Sequence, residues 1–121
     1  MTRLQSIQLL GFADNVRVAH WQAPRKTNEH ETLGDLYGAL SGPIDELTEL
    51  AIARDGNLEF PADSIAIINR APYADLLGGG LALLAEIRAT FAADADDELT
   101  VLADIKRAIV RAAFKLEVVL P

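Results

Sequence analysis

The sequence predicts an all-α protein, a four-helix bundle in a single domain spanning residues 1–121. Three observations predict it. Half of the 121 residues are apolar, Ala and Leu dominate them, and aromatics are only 6%; unbranched side chains lose little freedom in a helix. Apolar residues recur at helical spacing in four separate stretches. The length suffices for one modest core and is too short for two domains.

The first helix is predicted from about Thr2 to Ala23. Leu9, Phe12, Val16 and Ala19 form one apolar stripe, and Leu4, Ile7, Val18 and Trp21 extend around a second side. A helix apolar on two sides is expected to be covered from two directions, by the bundle core and by a neighbouring subunit. Trp21 reads most simply as a core anchor. Pro24 ends the helix, because the residue before a proline avoids the helical region. The second helix starts near Thr27 or Asn28, both good N-caps, with Glu29 and Glu31 in the first turn. Asn28 and Glu31 have capping-box spacing. Leu33, Leu36, Leu40, Ile44, Leu47 and Ala51 carry its apolar face to Arg54, and Asp55-Gly56-Asn57 stops it. Pro43 falls inside and is expected to kink the helix or split it in two.

Residues 57–75 are too long for a simple bundle turn. Their apolar centre, Ile65 to Ile68, predicts a short packed helix within a crossover. The third helix carries Leu81, Leu84, Ile87 and Phe91. Gly78-Gly79-Gly80 is a poor helix segment, so the helix is expected to begin after it. No strand precedes this triplet and no Lys-Ser or Lys-Thr follows it, so it is not read as a phosphate loop. Asp94 to Glu98 open the fourth helix, whose face is Leu99, Leu102, Ile105, Ile109, Ala113, Leu116 and Leu120. Four helices with one long crossover after the second describe the ferritin-like bundles.

Composition removes several function classes. The net charge is −7, which argues against general nucleic-acid binding. There are no cysteines, hence no disulfides, thiolate metal sites or Cys nucleophiles. No signal peptide is read at the N-terminus and no apolar run approaches ~20 residues, so a membrane is not expected as a partner. Ser41 and Ser64 have no His and Asp partners at readable spacing for a hydrolase. Nine acidic residues and one basic residue lie between Asn28 and Asp63; they form a solvated acidic surface or a funnel for cations.

The chemistry-bearing run is His20 to Glu49. His20 closes the first helix on the Leu9–Phe12–Val16 stripe and should point inward. His30 sits in the first turn of the second helix, so the two imidazoles can meet. Asp45 and Glu49 stand four apart on one helix face and can converge on a cation. Imidazole plus carboxylate suits iron, zinc or manganese. His30 and Asp45 are separated by about 22 Å along a straight helix. All four ligands can therefore meet only if the chain reverses at Pro43 or if a two-fold partner supplies the second half. Glu31, Asp35 and Glu46 are further carboxylates of lower rank.

The segment of residues 16–54 resembles the Dps proteins, the ferritin-like miniferritins. His20-Trp21 at the end of the first helix, His30 at the start of the next, and Asp45 and Glu49 four apart carry the resemblance. It implies an iron site across a two-fold dimer, with these four residues as ligands and catalytic groups and Trp21 packed beside them. It implies Fe(II) oxidation by peroxide or oxygen, assembly into a homo-oligomer or shell, and a cytoplasmic location. The sequence departs from the family pattern at Gly34, where a further acidic ligand is usual; the neighbouring Asp35 points about 100° away. The Lys-rich N-terminal tail used by some members for DNA binding is missing, and DNA binding is not expected. The HWQ…H…LY…ID-E segment is also similar to small ferritin-like proteins of tailed phages. That second resemblance implies a non-catalytic virion component with capsid, neck or tail proteins as partners.

Overall fold

The computed structural model describes residues 1–60 and 62–121. They form four helices, α1 (Arg3–Gln22), α2 (Asn28–Asp55), α3 (Tyr73–Arg88) and α4 (Asp96–Lys115). Thr2 caps α1 in a full capping box, its hydroxyl accepting from the Gln5 N–H while the Gln5 side chain accepts from the Thr2 N–H. The cap of α2 is Thr27, whose hydroxyl accepts from the His30 N–H at 3.2 Å. The predicted Asn28–Glu31 box does not form, because Asn28 is already inside the helix.

The helices run up, down, down and up. Arg54 near the end of α2 pairs with Glu98 at the start of α4, and Asn28 at the start of α2 donates to the Lys115 carbonyl at the end of α4. The described residues of the crossover, 56–60 and 62–72, run along α1 from its start to its end. Asp63 faces Arg3, Ala66 and Ile68 bond to Asn15, and Asn69 and Arg70 bond to Gln22. It therefore delivers α3 parallel to α2. In cross-section α1 touches α2 and α3, and α4 touches the same two. The predicted faces of α1, α2 and α4 supply much of the core, where Leu9, Phe12, Val16 and Ala19 of α1 meet Leu33, Leu36, Leu40, Ile44 and Leu47 of α2 and Leu102, Ile105 and Ile109 of α4. From α3 come the expected Leu84 and Ile87 but also Leu76, Leu77 and Leu83, which lie outside its predicted face, while Leu81 and Phe91 are only partly buried.

Several expectations are corrected. Pro43 does not split α2, which is one uninterrupted helix. The carbonyl that loses a partner belongs to Ala39, which is exposed and so can be hydrated. No helix forms around Ile65 to Ile68 among the described residues; the segment is irregular, with Ile67 and Ile68 exposed. The side chain of Asn15 replaces a backbone partner there, donating to the Ala66 carbonyl at 3.0 Å and accepting from the Ile68 N–H at 2.7 Å. Trp21 and Leu4 are not core residues; they are 65% and 63% exposed.

Helix α3 contains the glycine triplet instead of following it. Gly80 is buried, and a Cβ there would lie 2.5 Å from the Phe12 ring, so absence of a side chain lets α1 and α3 approach. At Gly79 a Cβ would meet nothing within 4 Å. Opposite outcomes are expected from the same substitution. Gly79→Ala should stabilise by about 1 kcal/mol through helix propensity. Gly80→Ala should destabilise by about 1–3 kcal/mol through overpacking. Urea midpoints of the two variants check this.

Glu98 is buried at the start of α4 and bonded through both carboxylate oxygens to the largely exposed Arg54, one contact being 3.2 Å. The Arg54 hydrogen bond holds the Glu98 carboxyl below its ordinary value of 4.5, outweighing the burial that would raise it. A depressed folded-state value stabilises the fold above the unfolded value and stops doing so as pH falls through the folded one. Glu98→Gln should therefore lower the urea midpoint near neutral pH, and the gap to the parent should close below the ordinary carboxylate range. High salt should narrow the gap as well, since Arg54 is in water.

Candidate metal half-sites

Helix α1 ends and α2 begins within one short turn, with Ala23 as the C-cap of α1 and Thr27 as the N-cap of α2. This turn brings His20 and His30 together. Their ring centroids are 4.0 Å apart at an interplanar angle of 31°. His20 Nδ1 lies 2.6 Å from the His30 carbonyl, and His30 Nδ1 lies 2.8 Å from the His20 carbonyl. A carbonyl only accepts, so both rings carry a proton on Nδ1 and both donate it. The His20 carbonyl is one of the acceptors that a helix C-terminus leaves without an intrahelical partner, and His30 satisfies it. When neutral, each ring keeps its Nε2 lone pair free of the clasp.

Gly34 is the floor under this pair. A Cβ at residue 34 would lie 2.7 Å from His20 Cε1 and 2.9 Å from its Nδ1. The place where the resemblance implies a further acidic ligand is thus taken by the His20 ring itself. His20 is half-buried between α1 and α2, as its inward-facing position predicts.

Asp45 and Glu49 lie in the second half of α2, exposed on one side of the helix. Since α2 is unbroken through Pro43, the chain reversal that could have joined them to the histidines does not occur. His30 and Asp45 stay about 22 Å apart. Accordingly, no group of three or more metal-ligating side chains converges among the described residues. One chain holds two separated halves of the predicted ligand set.

Sequence reasoning missed the setting of Trp21. Arg17 stacks on Tyr37, its guanidinium carbon 4.3 Å from the ring centroid, and stands 5.9 Å from the centroid of the Trp21 ring. The i, i+4 spacing of Arg17 and Trp21 was the available signal. Trp21 thus sits at the surface of the α1–α2 face, held by a cation–π contact. No described helix is long and apolar enough to cross a membrane. Comparison with protein-family models, curated proteins and solved structures finds no match to the chain.

Proposed function

We propose that the protein is a ferritin-like, Dps-type iron-binding protein with its metal site across a two-fold dimer. His20 and His30 of one chain would face Asp45 and Glu49 of the other, twice over. The observation that carries this reading is the imidazole pair. Both Nδ1–H groups are spent on backbone carbonyls and both Nε2 lone pairs are left as donors. Metal-ligating histidines are held in this way, the second nitrogen fixing tautomer and ring orientation.

Other observations support it. The up-down-down-up order with one long crossover is the order of ferritin-like bundles. The α1–α2 face is open, with Trp21 exposed and nothing within 4 Å of a Cβ at Gly38 or Gly42. An antiparallel α2 from a second chain, crossing near Gly38, would set His30 level with the Asp45–Glu49 stretch. His30 is eight residues before Gly38, and Asp45 and Glu49 are seven and eleven after it.

Imidazole and carboxylate together suit iron, with zinc or manganese as competitors. Fe(II) is the substrate in this reading. Each Fe(II) gives up one electron. Hydrogen peroxide takes two electrons and two protons and leaves as two waters, so two Fe(II) are consumed per peroxide. The carboxylates offset the charge gained on oxidation, and the clasped histidines hold their lone pairs in place.

The test is anaerobic Fe(II) titration followed by oxidant. A ferric absorbance is expected from the parent protein and should be lost in Asp45→Ala, with the fold intact by circular dichroism. Folded protein that takes up no iron, or that stays monomeric at all concentrations, would overturn the reading. The same reciprocal bonds also join α1 to α2 with no metal present. That favours, as the second reading, a non-catalytic brick such as a phage virion component. Copurification with capsid or tail proteins, without iron uptake, is the result expected of it.

A further inference from the structure

The antiparallel order of the helices sorts charge along the bundle. One end gathers the close of α2, the start of the crossover and the start of α4. It carries Asp55, Glu59, Asp63, Asp94, Asp96 and Asp97. Two of the cations there are already engaged, Arg3 with Asp63 and Arg54 with Glu98. Two exposed apolar side chains belong to the same elements, Ile52 at the close of α2 and Phe60 at the start of the crossover.

The C-terminal half of α4 is the reverse. Lys106, Arg107, Arg111 and Lys115 are exposed along its outer side, and Asp104 is paired with Arg107. Val110 and Phe114 lie one turn apart between these cations. Phe114 is 83% exposed, although the rest of the helix buries its apolar face in the core. An apolar centre with a charged rim is the composition of a protein interface. A site for polyanions alone has no use for Val110. Surface of the complementary kind, exposed acids together with exposed Ile52 and Phe60, is carried by the same chain at the other end of the bundle.

We propose that the outer face of α4 docks onto the acidic end of a second copy of this chain, Val110 and Phe114 against Ile52 and Phe60. The two patches differ, so the contact is head-to-tail. Repeated, it closes into a ring or shell if the rotation permits and extends as a filament if it does not. It uses neither histidine and is independent of the two-fold metal reading.

The test is a pair of charge reversals at exposed positions, R107E/R111E on the basic face and D55K/E59K on the acidic end. Sedimentation velocity should show the parent associating beyond any two-fold dimer, less so at high ionic strength. Each variant alone should associate about a hundredfold more weakly, since like charges then face each other. An equimolar mixture should recover the association, because each variant keeps the end that the other now complements. Unchanged association in both variants, no recovery on mixing, or a parent that never exceeds a dimer would overturn the proposal. So would a parent that does not self-associate but binds a single-stranded oligonucleotide through Arg107 and Arg111. Circular dichroism and thermal melting of both variants separate lost contact from lost fold.

Discussion

Under the proposed iron reading, Gly34→Ala is expected to weaken Fe(II) binding by about 10–100-fold while leaving the fold nearly as stable as before. The added methyl has no room, since the His20 ring lies 2.7 Å from where it would sit. The ring must swing out, and its bond to the His30 carbonyl goes with it. Loss of a group that orients a metal ligand costs affinity on that scale. Stability should stay within about 1 kcal/mol, because alanine's helix propensity offsets one lost hydrogen bond. Two measurements separate site from fold. The Fe(II) isotherm should weaken, and an NMR signal expected from the hydrogen-bonded Nδ1 proton of His20 in the parent should be absent from the variant even without iron. Unchanged affinity with that proton lost would mean that the clasp has nothing to do with metal.

The second large effect is expected at Asn15. Its Nδ2 donates to the carbonyls of Gly11 and Ala66, at 2.9 and 3.0 Å, and its Oδ1 accepts from the Ile68 N–H. Asn15→Asp turns both donated bonds into contacts between a carboxylate and carbonyl oxygens. A buried polar group left without partners costs about 1–3 kcal/mol, more when charged. A loss of about 3 kcal/mol and a fall in melting temperature of roughly 10 °C are expected. Asn15→Ala should cost less. It should nonetheless abolish exchange protection at the Ile68 amide, which Asn15→Asp can still accept. Equal protection of Ile68 in parent and Asn15→Ala would contradict this account of the crossover.

These two positions show what a sequence carries and where it stops. The helix faces were legible because burial repeats at 3.6 residues: Leu9, Phe12, Val16 and Ala19 were predicted as a stripe and are buried. The meeting of His20 and His30 was legible because only a short turn separates them. The irregular crossover was not, since its apolar run is held by Asn15, whose partners lie 51 and 53 residues away. Gly80 was not, since local propensity argues against a helix there and contact with Phe12 decides for one. Trp21 was read as core on hydrophobicity alone, whereas its place depends on Arg17 and Tyr37. Glu98 looked like one acid in an acidic run until Arg54 arrived from another helix.

The hydrogen bonds from Asn15 and Gln22 to the crossover also impose an order on folding. They join residues 47 to 53 apart in sequence. Closing so long a loop is entropically expensive until α2 has folded back on α1 and carried the crossover to its place. The α1–α2 hairpin is then the template on which the second half of the chain assembles. By the same logic the crossover is the first part to come away, so limited proteolysis of the native protein should cut there first and leave the α1–α2 and α3–α4 halves uncut.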